Sequence, residues 1–321
     1  MSDWMRDGRY HNLDGTSLPG PGSAGRVLKW KLGRRAPATL DAGLNRPPRP
    51  LRPALAPAPF QLTWLGHATW LIQIDGVTAL TDPTFTGIGP ARAIKRLTPA
   101  PLPLADLPPV DVIAVSHNHY DHCDLPSLRA LRARFPDAPF LVPAGLDAWL
   151  RRKLGDPVIP LPWWTAHAVG PLSVHAVPAQ HWSTRGGGTN TSHWCGFVFA
   201  GPAGSAYFAG DTGDGDHFAA IAARHPLDAA LLPIGAYAPR WFMQRQHIGP
   251  WEAIAAARTL RAHLLPMHWG TYQLTDEPLD EPPRLTQSLI EGHPMTLLRP
   301  GGTWTPHGAT GVFQWPDDLM G

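Results

Sequence analysis

The sequence predicts an α/β protein in which two mixed sheets lie face to face and helices cover the outside, a four-layer αβ/βα sandwich. Short apolar runs rich in β-branched residues alternate with segments of helical spacing in both halves of the chain, and no repeat is visible. The 321 residues allow one large or two ordinary domains with a sizeable core. The 38 prolines indicate that rigid loops, rather than long helices, connect the elements.

Each element follows from a local pattern. Residues 60–80 alternate as strands around the hairpin signal Asp75-Gly76. An acidic surface loop is expected over residues 273–283. Further strands are expected at 112–115, 140–142, 172–177, 195–200, 205–209, 229–233 and 264–267, and helices at 125–135, 145–154, 217–225, 250–260 and 284–291.

The first 57 residues form an arm that is distinct from the domain over residues 58–321. The arm is rich in glycine, proline and arginine and shows little periodicity. We expect it to pack on the body of the protein or on a partner subunit, which would make a homodimer. Two alternatives are a disordered leader and contact of the basic segment 28–35, with Lys29, Trp30 and Lys31, with a membrane surface.

Composition limits the partners and the compartment. Charged residues make up 16% of the chain and the formal net charge is +2, so no electrostatic argument favours nucleic acid as a partner. Cys123 and Cys195 do not form a disulfide framework, which indicates a reducing compartment. No segment approaches the roughly 20 apolar residues that span a bilayer, and the first residues lack the apolar core of a signal peptide. The expected location is the cytoplasm.

The densest group of candidate functional residues follows the predicted strand 112–115. Residues 116–124, the histidine loop, contain potential metal ligands at short spacing. Alternate residues of an extended segment point the same way, so His117 and His119 can share one cation, while Asp121 and His122 can hold a second one. Imidazole and carboxylate suit a divalent ion such as zinc, and two such ions about 3.5–4 Å apart can activate water for hydrolysis. The loop also contains Asp124, a fifth candidate ligand, and Cys123, which is interpreted as a packing residue or, alternatively, as a soft ligand.

Three more ligand-type residues stand where other predicted strands end: His181, Asp211 and His268. Together with the histidine loop they make four strand ends, the arrangement expected of a site at the carboxyl edge of sheets. His67 lies in a bend between two strands and is expected to be a hydrogen-bonded structural residue rather than a ligand. Asp82 is expected to orient a ligating imidazole.

The histidine loop, S-H-N-H-Y-D-H-C-D, resembles the H-x-H-x-D-H signature of the metallo-β-lactamase-fold hydrolases. One branch of that family, the phospholipase D enzymes that hydrolyse N-acyl-phosphatidylethanolamine and their bacterial relatives, is similar in further segments. The resemblance covers about residues 58–300 and, more weakly, residues 9–15. The similar segments are W-L-G-H-A-T-W-L-I-Q-I-D-G (64–76), L-T-D-P-T-F (80–85), P-A-Q-H-W (178–182), F-A-G-D-T-G (208–213), P-I-G-A-Y-A-P-R-W-F-M (233–243) and M-H-W-G-T (267–271).

This resemblance implies the metallo-β-lactamase form of the sandwich and a binuclear site with two zinc ions per chain. The ligands it implies are His117, His119 and His181 for the first zinc, Asp121, His122 and His268 for the second, and Asp211 as the bridge. Asp121 would also accept a hydrogen bond, and then the proton, from the attacking water. His247, in Q-H-I-G-P, matches a histidine of the family's active-site rim and is interpreted as a substrate ligand or proton donor, or alternatively as the cap of a helix that begins near Pro250.

The expected function is that of a zinc-dependent phosphodiesterase of this phospholipase D type, acting on a lipid or another small molecule. The alternative is a zinc-dependent lactonase or amide hydrolase with a soluble substrate. A third hypothesis is a non-hydrolytic metal protein, either a metal-binding scaffold or a redox di-iron module. The redox form is disfavoured, because it would be expected to carry a carboxylate where this chain has His119. Five aromatic residues are candidates for an acyl-chain groove or, alternatively, for the core: Trp163, Trp164, Tyr237, Trp241 and Phe242.

Overall fold

The computed structural model describes residues 4–17, 25, 29–30, 33, 45–53, 55 and 58–320. Of the basic segment 28–35, only Lys29, Trp30 and Gly33 fall within these ranges. The other residues of the predicted membrane contact, Lys31 among them, lie outside the described residues. Among the residues that are described, no helix has the length and apolar character needed to cross a membrane.

The described residues form short strands joined by helices and loops. The strands are β1 (Met5–Arg6), β2 (Arg9–Tyr10), β3 (Phe60–Trp64), β4 (Trp70–Ile74), β5 (Val77–Thr81), β6 (Val112–Ala114), β7 (Phe140–Pro143), β8 (Val158–Leu161), β9 (Ala166–Val169), β10 (Leu172–Val177), β11 (Thr184–Arg185), β12 (Gly188–Thr189), β13 (Gly196–Gly201), β14 (Gly204–Phe208), β15 (Ala229–Pro233), β16 (His263–Met267), β17 (Leu298–Thr305) and β18 (Gly308–Val312). The α-helices are α1 (Leu125–Arg134), α2 (Asp147–Leu154), α3 (His217–Ala222), α4 (Arg240–Met243), α5 (Pro250–Leu260) and α6 (Glu281–Leu289).

Most strands belong to two mixed sheets. The larger sheet has eight strands in the order β18-β17-β3-β4-β5-β6-β7-β8, antiparallel as far as β5 and parallel from β5 to β8. The smaller sheet has six in the order β16-β15-β14-β13-β10-β9, where β14, β15 and β16 run parallel and the other pairs are antiparallel. Strands β10, β14 and β16 therefore point the same way, and their carboxyl ends meet at one edge.

The two sheets pack face to face over an apolar core. Trp64 and Trp70 of the larger sheet share this core with Phe197 and Phe199 of the smaller one, and all four are fully buried. Burial of one such side chain stabilises the fold by about 1.5–3 kcal/mol. Helices α1 and α2 cover the other face of the larger sheet, and α5, flanked by α3 and α6, packs on β15 and β16. The predicted four-layer αβ/βα sandwich is confirmed.

One prediction about the surface is wrong. The acidic segment 273–283 is not a surface loop, because Glu277 and Glu281 are buried. Glu277 accepts a hydrogen bond from the backbone N–H of Ala236 (2.6 Å), and Glu281 accepts one from the hydroxyl of Tyr237. Buried carboxylates need donors of this kind, and the charge pattern of a single segment does not reveal them.

The aromatic residues considered for a groove do not all share one environment. Trp163 belongs to the core between the sheets and donates its indole N–H to the backbone oxygen of Trp194 (2.6 Å). Tyr237 is also buried, whereas Trp241 is 41% exposed. The core alternative is therefore right for Trp163 and Tyr237.

Candidate metal centre

Four strand ends bring ligand-type side chains together. The histidine loop follows β6, and the other three ligand-type residues follow β10, β14 and β16. Among the described residues, four overlapping groups have candidate ligand atoms within 4.8 Å of one another, and the two largest contain the ligands implied above. We call His117, His119 and His181 the first half of the site, and Asp121, His122 and His268 the second half. The structure thus brings together the seven residues that the family resemblance implies as metal ligands.

Asp211 lies between the two halves. Its Oδ2 atom is 3.8 Å from Nε2 of His117 and 3.1 Å from Nε2 of His122, and its Oδ1 atom is 3.0 Å from Nε2 of His268. Burial opposes ionisation of this carboxyl, but the imidazoles of His122 and His268 outweigh it and hold its pKa well below the usual value. Asp211 is therefore a buried anion that both halves can share.

The three histidines of the first half direct ring nitrogen atoms towards one another. Nδ1 of His119 lies 2.8 Å from Nε2 of His117 and 3.2 Å from Nε2 of His181. Nδ1 of His181 faces the backbone oxygen of Gln246 at 2.9 Å. A carbonyl only accepts, so this Nδ1 carries the proton and Nε2 keeps its lone pair.

The pKa values agree with neutral imidazoles in the first half. Burial lowers the pKa of His119 and of His181 to about 3, and it lowers that of His117 as well. Neighbouring imidazoles add to this effect at each of them. Neutral imidazole is the form that binds a metal ion.

Carboxylates surround His122 in the second half. Oδ2 of Asp82 lies 2.6 Å from Nδ1 of His122, and Nε2 of His122 lies 3.2 Å from Nε2 of His268. Asp82 is completely buried and, as predicted, orients a candidate metal-binding imidazole. Burial disfavours a charged His122, but the carboxylates of Asp211 and Asp121 outweigh it and raise its pKa well above the usual value.

His67 joins the second half, a position that sequence reasoning did not assign to it. It is hydrogen-bonded, as expected, but its partner is Asp121, whose Oδ2 atom lies 3.0 Å from Nε2 of His67. Its ring also lies 3.9 Å from that of His268 between centroids. Burial lowers its pKa to about 3, and His268 adds to the effect. The signal available in the sequence is a histidine directly after Gly66, in a bend between two predicted strands. In the structure, both residues have positive φ.

Arg185 is a second contributor that the sequence did not reveal. It lies in the short hairpin β11–β12 and donates from one guanidinium nitrogen to the backbone oxygens of Asn118 (2.9 Å) and Cys123 (2.8 Å). Its guanidinium carbon also lies 4.2 Å from the ring centroid of Tyr120. Arg185 therefore fixes the histidine loop from its outer side.

His247 lies at the border of both halves. Its Nε2 atom is 3.7 Å from Oδ2 of Asp211, and its ring centroid is 5.1 Å from that of His181. Its buried Nδ1 atom has no hydrogen-bond partner within the described part of the chain. The capping alternative is wrong, because Gly249 is the N-cap of α5 and donates its N–H to Glu252 (2.8 Å).

The last two residues of the histidine loop have structural roles. Asp124 is the N-cap of α1 and accepts hydrogen bonds from the backbone N–H (3.1 Å) and the hydroxyl (2.6 Å) of Ser127. Cys123 is buried in the apolar cluster under that helix, and burial raises the pKa of its thiol to about 11. Among the described residues, neither belongs to a group that could hold a metal ion.

The donor set fits divalent cations. Neutral nitrogens in the first half approach one another within 2.8–3.2 Å, although two lone pairs repel unless a cation or proton lies between them. Nε2 of His119 is buried and has no hydrogen-bond partner among the described residues. Buried polar atoms normally have partners, and a borderline metal ion would satisfy these imidazole and carboxylate atoms.

Comparison with known proteins agrees with this geometry. The beta-lactamase superfamily domain matches residues 78–269. The N-acyl-phosphatidylethanolamine-hydrolyzing phospholipase D 1 of Caenorhabditis elegans is 37% identical over 250 residues, which cover 71% of this chain and 69% of that one. An uncharacterized protein of Mycobacterium tuberculosis is 36% identical over 330 residues, which cover 97% of this chain and 86% of that one.

A solved structure, the isothiocyanate hydrolase from Delia radicum gut bacteria, superposes with a TM-score of 0.62 at 22% identity, over 76% of this chain and 98% of that one. This likeness bears on the fold alone. The domain match and the two relatives that are more than a third identical show the family, and the solved structure agrees with them in fold. The chain belongs to the beta-lactamase superfamily, has the metallo-β-lactamase fold, and is a metal-dependent hydrolase.

Proposed function

We propose that the protein is a binuclear zinc phosphodiesterase that cleaves N-acyl-phosphatidylethanolamine or a closely related phosphodiester. The observation that carries the proposal is the pair of ligand groups that share the buried carboxylate of Asp211. The substrate class is supported by the 37% identity to the Caenorhabditis elegans phospholipase D over 71% of this chain.

The two halves of the site would each hold one ion, with Asp211 between them. Imidazole and carboxylate donors without a thiolate favour zinc over softer metals. When bound, the two ions would supply an activated water and neutralise charge on the phosphate oxygens. The chain itself must orient the imidazoles and leave lone pairs free for the ions. Burial keeps His181 neutral and the backbone oxygen of Gln246 orients it, while Asp82 orients His122.

Asp121 orients the attacking water. Burial opposes ionisation of its carboxyl, but His122 outweighs burial and holds the pKa well below the usual value. Asp121 is thus an anion at neutral pH, and Nε2 of His67 occupies one side of its Oδ2 atom. The remaining lone pairs can accept a hydrogen bond from water and then its proton.

His247 binds the substrate. Burial lowers its pKa to about 4, although Asp211 opposes the shift, so the imidazole is neutral at pH 7. A neutral imidazole is a weak acid but a good hydrogen-bond donor. We therefore assign His247 to a hydrogen bond with a phosphate or leaving-group oxygen, rather than to full proton donation.

The proposal is tested by comparing rates on three substrates with zinc-loaded enzyme: N-acyl-phosphatidylethanolamine, bis(p-nitrophenyl) phosphate and a lactone. We expect turnover of both phosphodiesters, with release of N-acylethanolamine from the lipid, and no turnover of the lactone. Preferential lactone hydrolysis would refute the phosphodiesterase assignment.

A ligand variant links the activity to the metal. His119→Ala removes one of the three imidazoles of the first half and should abolish hydrolysis and lower the bound zinc. His175→Gln is the matched control, because this histidine lies on β10 outside the site and hydrogen-bonds Ser173 at 3.0 Å. Full turnover by His119→Ala would exclude the proposed site.

A further inference from the structure

We propose that Asn12, in the N-terminal arm, is a positioning residue that holds the backbone of His181 and thereby completes the first half of the metal centre. The inference rests on the proposed role of His181 as a metal ligand. Asn12 lies outside residues 78–269, the part of the chain that matches the family domain, so the arm would contribute to the metal centre from outside that domain.

Asn12 is a buried acceptor with two donors. Its side-chain Oδ1 atom accepts a hydrogen bond from the backbone N–H of His181 at 2.9 Å and another from the indole N–H of Trp194 at 2.9 Å. Asn12 is 1% exposed, and His181 is completely buried. Water therefore cannot replace this amide oxygen without a rearrangement.

A closed turn presents Asn12 to the site. The backbone N–H of Asn12 donates to the backbone oxygen of Thr16 (2.9 Å), and the N–H of Gly15 donates to that of Asn12 (2.9 Å). Asp14 closes the turn further by accepting from the N–H of Thr16 (2.9 Å). The turn also reaches the residue before His181, because the side-chain amide of Gln180 donates to Asp14 (3.2 Å).

The arm is fixed at a second point beyond His181. The backbone N–H of Tyr10 donates to the backbone oxygen of Asn190 (2.9 Å). The ring of Tyr10 stacks on that of His193, with centroids 4.7 Å apart. The arm therefore contacts the segment that carries His181 on both sides of this histidine and acts as its outer wall.

These contacts leave His181 little freedom except at the atom that would bind the metal. Its Nδ1 atom donates to the backbone oxygen of Gln246 (2.9 Å), and its backbone N–H donates to Asn12. The Nε2 atom, which faces His119 and Asp211, is the one left for a cation. Removing the Asn12 oxygen would free the backbone and leave the buried N–H of His181 without an acceptor. The indole N–H of Trp194 would keep a second acceptor, the backbone oxygen of Ala179 at 2.9 Å.

The test measures zinc affinity in the full-length protein by competition with a chromophoric chelator, so it does not depend on activity. Asn12→Leu keeps a similar volume but removes the acceptor. We expect one of the two zinc ions to bind roughly 10–100-fold more weakly, the loss typical of removing an outer partner of a ligand. Asn12→Asp retains an acceptor oxygen and should restore the affinity.

Two further variants separate positioning from general packing. Trp194→Phe removes the other donor to Asn12 but keeps the hydrogen bond to His181, so both affinities should match the wild type. In a His119→Ala background the first-half ion is already lost, so adding Asn12→Leu should leave the affinity for the remaining ion unchanged.

Several results would overturn the inference. These are an unchanged affinity in Asn12→Leu, equal weakening of both ions, no recovery in Asn12→Asp, or a loss in Trp194→Phe as large as that in Asn12→Leu. A wild-type protein that binds no zinc would instead contradict the proposed function. The two failures are therefore distinguishable.

Discussion

The two halves of the metal centre are built from similar side chains but held by different kinds of groups. In the first half, the groups that hold His181 are neutral: the backbone oxygen of Gln246 and the side-chain amide of Asn12. In the second half, His122 is held by the buried carboxylate of Asp82, 2.6 Å away. One half is thus oriented by dipoles and the other by charge.

The two halves also differ in the protonation of their histidines. Burial lowers the pKa of His181 to about 3, whereas the carboxylates of Asp211 and Asp121 outweigh burial and raise that of His122. An ion entering the first half meets imidazoles that are already neutral. An ion entering the second half must displace a proton from His122.

The largest effect is expected from Asp211→Ala, because this carboxylate touches both halves. Both ions should bind more weakly, and hydrolysis should fall by more than the roughly 10–100-fold typical of an outer partner. Zinc content by elemental analysis and the rate on bis(p-nitrophenyl) phosphate measure the two effects. Loss of one ion with the other fully retained would show that Asp211 belongs to a single half.

Asp82→Ala should act mainly on the charge-held half. His122 loses its carboxylate partner, so we expect roughly 10–100-fold weaker binding of the second-half ion. The buried backbone N–H of Ser116, which donates to Asp82 at 2.6 Å, also loses its acceptor, and this costs about 1–3 kcal/mol of stability. Chelator competition and thermal unfolding are the measurements.

Ser116→Ala is the neutral counterpart for that experiment. The Ser116 hydroxyl lies 2.9 Å from Nδ1 of His117 and donates to Oδ2 of Asp82 at 2.5 Å. Its removal therefore takes a neutral partner from the first half but leaves the Asp82 carboxylate in place beside His122. Because this partner is uncharged, a smaller loss of affinity is expected than for Asp82→Ala. Equal losses in the two variants would contradict the contrast between dipole-held and charge-held halves.

The pH dependence of zinc binding should also differ between the halves. The raised pKa of His122 means that acidification strengthens proton competition at the second half, so its affinity should fall by about tenfold per pH unit while one proton is displaced. The first half should stay nearly constant until the pH approaches the pKa of about 3 of His119 and His181. Zinc affinity measured between about pH 5.5 and 8, the range where an unperturbed imidazole titrates, would give the pH dependence of each half. Equal pH dependence at the two halves would contradict the assignment of a protonated His122 to the second half.

The smallest effect is expected from His67→Phe, which removes the partner of Asp121 but keeps an aromatic ring beside His268. Loss of this outer contact should reduce the rate by about tenfold, the lower end for such partners. The second-half ion should be bound with only slightly lower affinity. A complete loss of that ion would instead identify His67 as a direct ligand.

Local patterns predicted the elements whose periodicity and end signals agree. The strand Ala229–Pro233 and the helix Pro250–Leu260 have the predicted bounds, because an uninterrupted apolar run and a proline at a helix start are local features. The helix predicted at 284–291 instead begins at Glu281, where carboxylates that resemble surface charges are buried against Tyr237. The predicted start of this helix was wrong because Tyr237, which donates to the buried carboxylate of Glu281, is distant in sequence.

Consecutive side chains are enough to predict the alternation of strands and helices and the residues that can bind metal, because periodicity and ligand chemistry are local properties. The contacts of His67 with Asp121 across 54 positions and of Asn12 with His181 across 169 depend on the folded chain. The fold also sets the opposite pKa shifts of His181, which is lowered, and His122, which is raised. A pKa depends on burial and on neighbours that the fold brings within a few ångströms, and no local pattern records them.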